Sequence, residues 1–235
     1  MAAVRRLGSL LIVVAIAGGA TALALAAQTP KALRASILAA ARAQRSVHYV
    51  TNTHGVATLR IDGDVAGDRG VQRIAFTKAG RTGHVTVRVV KRIAYVRGDA
   101  FSMRNYMLFS ASQSSRYAGR WISVPQSWSS YSTLAAAVTL RSFLSELNLK
   151  GTSARISGTV GGRRVVGVRT TGKEHGLRAI DTLWARAGAK PLPVQDKLVA
   201  PSKGYLARAT MTRWNERVAV RAPAHAVPIS IVARG

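Results

Sequence analysis

Apolar and polar residues alternate with a period of two along most of the chain beyond Ser46, which is typical of β-strands with one face against a core. The clearest case is residues 83–89, where valines alternate with polar residues. Glycine and aspartate turns separate such segments. The pattern predicts strands over residues 47–53, 55–62, 70–77, 83–90, 92–97, 119–125, 152–160, 163–171, 178–187, 192–199 and 203–214.

A helix is predicted ahead of the first strand, over residues 31–45. Thr29 suits the N-cap position and Pro30 the first helical position. Apolar residues recur every four positions from Leu33, so one face is apolar, and Arg34 is predicted to lie off that stripe.

Two more helices are predicted between the strands. Asp99 can cap a helix that begins near Phe101, and residues 134–147 place Leu140 and Leu144 on one face. The serine-rich residues between them predict a solvated link. The order of elements therefore predicts an α+β fold, in which a large curled antiparallel sheet forms a half-open β-barrel of about 10–11 strands and helices cover its concave face.

The first 27 residues carry the features of an export signal. Arg5 and Arg6 precede an uncharged apolar stretch over residues 9–27, which ends in small residues. We expect residues 1–27 to be a secretory signal peptide or an N-terminal signal-anchor helix, because the stretch approaches the roughly 20 residues that span a bilayer. Residues 28–228 are then predicted to form a single extracytoplasmic domain, either secreted or anchored to the cell membrane, and residues 229–235 a tail.

The chain is strongly basic, with 35 Lys and Arg against 9 Asp and Glu and a net charge of +26 at pH 7. On an exported protein this charge favours an anionic membrane or wall surface as a partner and argues against nucleic acid. The preference for Arg over Lys, with abundant Ala, Gly and Val, is also typical of a GC-rich genome and accounts for part of the charge. The chain has no cysteine, which excludes disulfides, thiolate metal sites and a lipobox cysteine.

Motifs for catalysis or metal binding are weak throughout the sequence. The five histidines are scattered without metal-ligand spacing, and no serine lies in a Gly-x-Ser-x-Gly motif. Asp62, Asp64 and Asp68 are predicted to shape a hairpin turn rather than to bind calcium. The sequence therefore predicts a protein that is not an enzyme and that has no metal and no cofactor.

Aromatic residues concentrate in the helical insertion and in the strands near it. A curled sheet covered by helices can leave an apolar cavity, which is the usual form of a site for a hydrophobic ligand. The residues predicted to face that cavity are Val85, Val87, Val89, Tyr95, Phe101, Phe143, Leu147 and Trp184.

Five segments resemble the LppX/LprG group of envelope lipoproteins, which are relatives of the LolA lipoprotein carrier and of the RseB sensor domain. The segments are GDVAGDRG at 63–70, IAYVRGDAF at 93–101, AGRWISVP at 118–125, LWARAGAKPLPV at 183–194 and TRWNERVAVRAP at 212–223. The resemblance covers most of residues 30–228 and implies a half-open β-barrel whose helix-covered concave face binds the acyl chains of lipids or lipoproteins. The missing lipobox cysteine is a departure from that group.

The leading interpretation is a non-enzymatic envelope protein that binds an acyl lipid or a lipoprotein, as a carrier or chaperone. The alternative is a sensor or regulatory domain of the same fold that acts through an envelope protein partner, with its cavity filled by side chains. A hydrolase of wall polymers is the third hypothesis, and it would have to assemble its catalytic groups from distant strands.

Overall fold

The structure is a computed structural model that describes residues 28–55, 57–147, 150–174, 176–188 and 190–234. The predicted export segment, residues 1–27, lies outside the described residues. Within the described ranges, no helix combines the length and the apolar character that crossing a membrane would require.

The described strands form one curled open sheet, which confirms the predicted α+β class and half-open barrel. The sheet has twelve strands, one more than the upper limit predicted, because a two-residue strand is added at one edge. The strands are β1 (Ser46–His54), β2 (Thr58–Ala66), β3 (Gly70–Lys78), β4 (Arg81–Val90), β5 (Ile93–Gly98), β6 (Ile122–Pro125), β7 (Gly151–Val160), β8 (Arg163–Glu174), β9 (Leu177–Arg186), β10 (Pro193–Ala200), β11 (Tyr205–Thr212) and β12 (Val227–Pro228).

The strand order is β12-β6-β5-β4-β3-β2-β1-β11-β10-β9-β8-β7, so two antiparallel meanders meet at one seam between β1 and β11. At that seam Tyr49 is opposite Met211 and Thr51 is opposite Ala209. Only the contact between β12 and β6 is parallel among the described strands. The meanders are locally connected, and the seam joins segments that are far apart in sequence.

Six α-helices and one 3-10 helix accompany the sheet in the described part of the chain. They are α1 (Pro30–Arg42), α2 (Ala100–Asn105), α3 (Ala111–Tyr117), α4 (Tyr131–Ala135), α5 (Leu140–Glu146), α6 (Ile229–Val232) and the 3-10 helix Pro201–Lys203. Side-chain caps explain where several of them begin, since Thr29 accepts a hydrogen bond from the Ala32 N–H and Asp99 accepts one from the Ser102 N–H.

Two apolar cores lie between the sheet and the helices. The first, which we call the α1–α5 core, packs α1 and α5 against β1, β2, β8, β9 and β11. The second, the α2–α4 core, packs the short helices α2 to α4 and α6 against β3 to β6 and β12. The helices therefore cover the concave face in two sections.

Three sequence-based expectations need correction. Residues 229–235 were expected to be a tail, but Ile229–Val232 is helix α6, whose Ile229 and Val232 are buried in the α2–α4 core. The serine-rich link contains helix α3, because Ser110 and Gln113 form a capping box that starts it. Arg34 was predicted to lie off the apolar stripe of α1, but it is buried with 8% exposure.

Candidate functional site

A cavity of about 250 Å³ lies between α5 and the concave face of the sheet, where the two meanders meet. Its wall includes Tyr49 on β1, Phe143 on α5 and Ala209 on β11. These residues come together because Tyr49, Thr51 and Ala209 occupy inward positions of paired strands. The cavity is therefore built by strand register rather than by a local motif.

The aromatic side of the cavity is a stacked pair of rings. Tyr49 and Phe143 have ring centroids 4.3 Å apart, in a stacked arrangement. Gly63 lies opposite Tyr49 on β2, and a side chain at Gly63 would collide with the Tyr49 ring. The Tyr49 hydroxyl donates to the Ala137 carbonyl at 2.8 Å and accepts from the Gln72 amide. Burial, opposed by the Gln72 hydrogen bond, raises the pKa of Tyr49, so its hydroxyl stays protonated.

The polar side of the cavity is organised by a buried arginine. Arg34 Nη2 lies 2.8 Å from Asp181 Oδ2 and 2.6 Å from the Leu147 carbonyl, and Arg34 Nη1 donates to Thr170 Oγ1 at 2.8 Å. The guanidinium thus ties α1 to β9, to β8 and to the residue after α5. A charge pair this deep is stable only when its remaining donors and acceptors are also satisfied.

Asp196 on β10 is the second carboxyl group of this side, and it lies within hydrogen-bonding reach of Asp181. Burial raises the pKa of Asp196 well above its usual range, and the neighbouring Asp181 raises it further, while Arg34 lowers it. Asp196 therefore favours its neutral, protonated form beside Asp181. Glycan hydrolysis uses carboxyl groups about 5–9.5 Å apart, so this hydrogen-bonded pair is poorly spaced for that chemistry.

A larger and more open cleft lies at the end of the barrel beside α4 and α5. Its volume is about 1030 Å³, and Val89, Leu140 and Leu144 contribute apolar surface to it. Its rim carries three exposed arginines and one exposed acid, which are Arg42, Arg92, Arg141 and Asp68. The cleft is therefore amphipathic, with an apolar interior and a basic rim.

An ionic network occupies the outer face of β1 to β3. His48 Nδ1 lies 2.8 Å from Asp64 Oδ1, and Arg73 Nη1 lies 3.6 Å from Asp62 and 3.4 Å from Asp64. In the described ranges, His48, Asp62 and Asp64 bring three potential metal-ligand atoms within 4.8 Å of one another. The Arg73 guanidinium lies beside the carboxylates of both Asp62 and Asp64, which favours ion pairing over metal binding. Asp62 and Asp64 lie within β2, so the prediction that they shape a turn is wrong for these two residues.

Six of the eight predicted cavity residues lie on or against the concave face, in three separate places. Val85, Val87 and Val89 are buried side by side in the α2–α4 core, and only Val89 reaches the open cleft. Phe143 and Leu147 line the cavity beneath α5. The prediction that these residues bind a ligand stays a prediction.

The sixth of them is Phe101, and the remaining two predicted residues lie on the outer face of the sheet. Phe101, on α2, packs against Phe76 of β3, with their ring centroids 6.0 Å apart. The Arg81 guanidinium lies over the Phe101 ring. Tyr95 is opposite Arg88 in the register, on the face away from Val87. Trp184 is also on the outer face, where its ring covers Gly167, and a Cβ at Gly167 would lie 2.8 Å from the ring. Tyr95 and Trp184 were therefore assigned to the wrong face of the sheet.

The polar groups at this cavity, Asp181 and Asp196 with the Arg34 that contacts Asp181, were not predicted from the sequence. Asp181 occupies an inward position between the buried residues Ala179 and Leu183, so a carboxylate at an apolar position of the alternating pattern was the available signal. Nothing in the sequence indicated that α1 would bring an arginine to it. The grouping depends on β9, β10 and α1 packing together.

No family model matches the chain, and no curated protein sequence matches it. Among solved structures, the chain is similar to the lipoprotein LppX of Mycobacterium tuberculosis, with 17% identity, a TM-score of 0.50, and coverage of 86% of this chain and 100% of that one. An uncharacterized conserved protein from Thermus thermophilus superposes at a TM-score of 0.46, with 9% identity over 86% of this chain and 98% of that one. MucB, in complex with MucA(peri), superposes at a TM-score of 0.35, with 17% identity over 81% of this chain and 58% of that one. The LppX comparison confirms the fold expected from the sequence resemblance, and at this identity it shows the fold alone.

Proposed function

We propose that this protein is a non-enzymatic, exported envelope protein that binds an acyl lipid or the acyl chains of a lipoprotein, as a carrier or chaperone. The observation that carries the proposal is the cleft beside α4 and α5. Its volume of about 1030 Å³ is at the upper end of the range of about 300–1,000 Å³ typical of ligand sites. Apolar burial, at about 25 cal/mol per Å², would supply the affinity for acyl chains.

The basic rim supports a ligand with an anionic head group. Arg42, Arg92 and Arg141 surround the cleft with three positive charges against the single carboxylate of Asp68. An acyl chain lying on Leu140 and Leu144 would place its head group near these arginines. The same charges would draw the protein to an anionic membrane or wall surface.

Native mass spectrometry of the exported chain tests this proposal. We expect extra mass that organic solvent removes and that fragments as acyl chains. A complementary titration with a pyrene-labelled fatty acid should show that Arg141→Gln weakens binding about fivefold, since a basic residue near an anionic surface contributes about 1 kcal/mol. Arg169→Gln, an exposed outer-face arginine, is the matched control and should leave binding unchanged. Protein that carries no lipid and does not bind the probe would overturn the proposal.

A sensor domain that acts through a protein partner is the second candidate, and one observation favours it. The concave face beneath α2 is filled, with Val85 and Val87 packed in the same core as Met103 and none of the three more than 2% exposed. A filled barrel has less room for acyl chains in that section. A bare polypeptide mass together with a stable stoichiometric envelope partner would favour this candidate over the carrier.

A further inference from the structure

The cavity beneath α5 gathers acidic residues in a chain that has few of them. The chain has 9 acidic residues against 35 basic ones, yet Asp181, Asp196 and Glu146 all line this one cavity. Among the described residues, Arg34 forms an ion pair with Asp181 of this group. The cavity therefore combines carboxyl groups with the aromatic rings of Tyr49 and Phe143.

Two carboxylate oxygens in this group lack a hydrogen-bond donor. Oδ1 of Asp181 and Oδ1 of Asp196 are buried without a partner among the described residues, and Asp181 as a whole is 3% exposed. Buried acceptors without a donor are costly, so each needs a proton or a ligand N–H or O–H. A proton on Asp196 meets this need in one way. A donor-rich ligand in the cavity would meet it in another.

We propose that this cavity is a binding site for a small organic ammonium ion, whose N–H groups donate to Asp181 and Asp196. An ammonium group suits the site because it carries three donors, no acceptor and a positive charge. Its alkyl part would contact the stacked rings of Tyr49 and Phe143, and aromatic faces also attract cations. The cavity volume of about 250 Å³ limits the ligand to a small molecule. This proposal does not rest on the lipid cleft, because the two sites share no lining residue.

Binding of the ammonium ion is coupled to release of a proton. Without a ligand, burial and the nearby Asp181 favour the neutral form of Asp196, whereas a bound cation favours its ionised form. The affinity for the ammonium ion therefore rises with pH through the titration of Asp196. The titratable and charged groups that face Asp196 or line its cavity are Arg34 on α1, Tyr49 on β1, Glu146 on α5, Asp181 on β9 and Tyr205 on β11.

Isothermal titration calorimetry of the full chain with n-butylammonium chloride tests the proposal. Runs at several pH values, in buffers of different ionisation enthalpy, give both the affinity and the number of protons released. We expect the affinity to rise by up to about tenfold per pH unit, which is the limit for one released proton. Neutral n-butanol should bind far more weakly and without proton release.

Two variants and one matched control connect the binding to this cavity. Asp196→Asn should weaken n-butylammonium binding about tenfold or more and remove its pH dependence, because the charged acceptor is gone. Glu146→Gln, at an exposed position, should weaken binding by about twofold to fivefold. Asp62→Asn removes one charge from the outer face and should have no effect. Equal binding of n-butanol and n-butylammonium, or unchanged affinity in both cavity variants, would overturn the proposal.

Discussion

The two sections of the concave face differ in what fills them. In the α2–α4 core, the inward positions of β4 and β5 hold small apolar residues such as Val87 and Val96, and α2 closes over them with Met103. In the α1–α5 section, equivalent inward positions hold Asp181 and Thr170, and Arg34 reaches them from α1. The same curled sheet thus carries a filled apolar section and a section with a polar cavity. Both sections contribute apolar burial to stability, and the buried charges of the second section, which are poor sources of stability, suit it to ligand binding.

Removing the buried Arg34 should give the largest loss of stability of the changes considered. It tests how strongly the polar section depends on this one side chain. Arg34→Met keeps an unbranched apolar stem but leaves Asp181 without its cation. We expect the free energy of unfolding to fall by about 3–5 kcal/mol, which is typical when one partner of a buried ion pair is removed. Denaturant unfolding measures this change.

Arg42→Met is the matched control, because Arg42 lies on the same helix with an exposed side chain. Its effect should stay within about 0.5 kcal/mol. If Arg34→Met cost no more than this control, the ion pair would not organise the polar section.

A substitution in the filled section should cost somewhat less and should leave ligand binding alone. Met103→Ala opens a void under the sheet, since Met103 is fully buried. We expect a loss of about 2–4 kcal/mol, in the range for large-to-small core substitutions. Met107→Ala, at a partly buried position of the same core, is the milder comparison. Loss of n-butylammonium binding in a folded Met103→Ala protein would show that the two sections are coupled. The apolar section and the polar cavity would then not be independent.

The smallest effect expected is a pH dependence of the free energy of unfolding, caused by Asp196 in the polar section. The folded-state pKa of Asp196 is raised above the unfolded value of about 3.9, so the folded protein holds the proton more tightly. This stabilisation is present at low pH and is lost as pH rises through the folded pKa, at about 1.4 kcal/mol for each unit of pKa difference. We therefore expect Asp196→Asn to become more stable relative to the unmodified chain as the pH is raised from 4 to 8.

Unfolding free energies at the two pH values decide this prediction. Asp62→Asn serves as the control, because Asp62 lies on the outer face. A stability difference for Asp196→Asn that is constant with pH, or that changes in the opposite direction, would contradict the assigned direction of the pKa.

Much of the fold could be predicted because alternation and turns are local properties of the sequence. The strand predicted at 83–90 is observed at Arg81–Val90, and the pair predicted at 152–160 and 163–171 is observed at Gly151–Val160 and Arg163–Glu174. Helix α3 was missed because its sequence has no apolar stripe, and its start depends on side-chain caps. Strand β12 could not be predicted, since two residues carry no periodicity.

The candidate site was predicted only in part, for a different physical reason. Tyr95 and Trp184 were chosen for their aromatic character, although alternation with the inward residues Val96 and Leu183 places both of them on the opposite face. Asp181 and Asp196 come together through the pairing of β9 with β10. A local pattern shows which face a residue occupies, but only the packed tertiary structure shows what it meets there.

The seam between β1 and β11 has a consequence for how the chain folds. Each meander can form from hairpins as soon as its own residues are available, but His48 cannot pair with Thr212 until residue 212 has been synthesised. Such long-range pairing is slow, because the entropy of closing a long loop is lost before the contact forms. Until then the first meander has an unpaired edge at β1, which is a template for aggregation. The slow step of folding should therefore be the docking of two preformed half-sheets, and the polar cavity, which straddles the seam, is completed only in that last step.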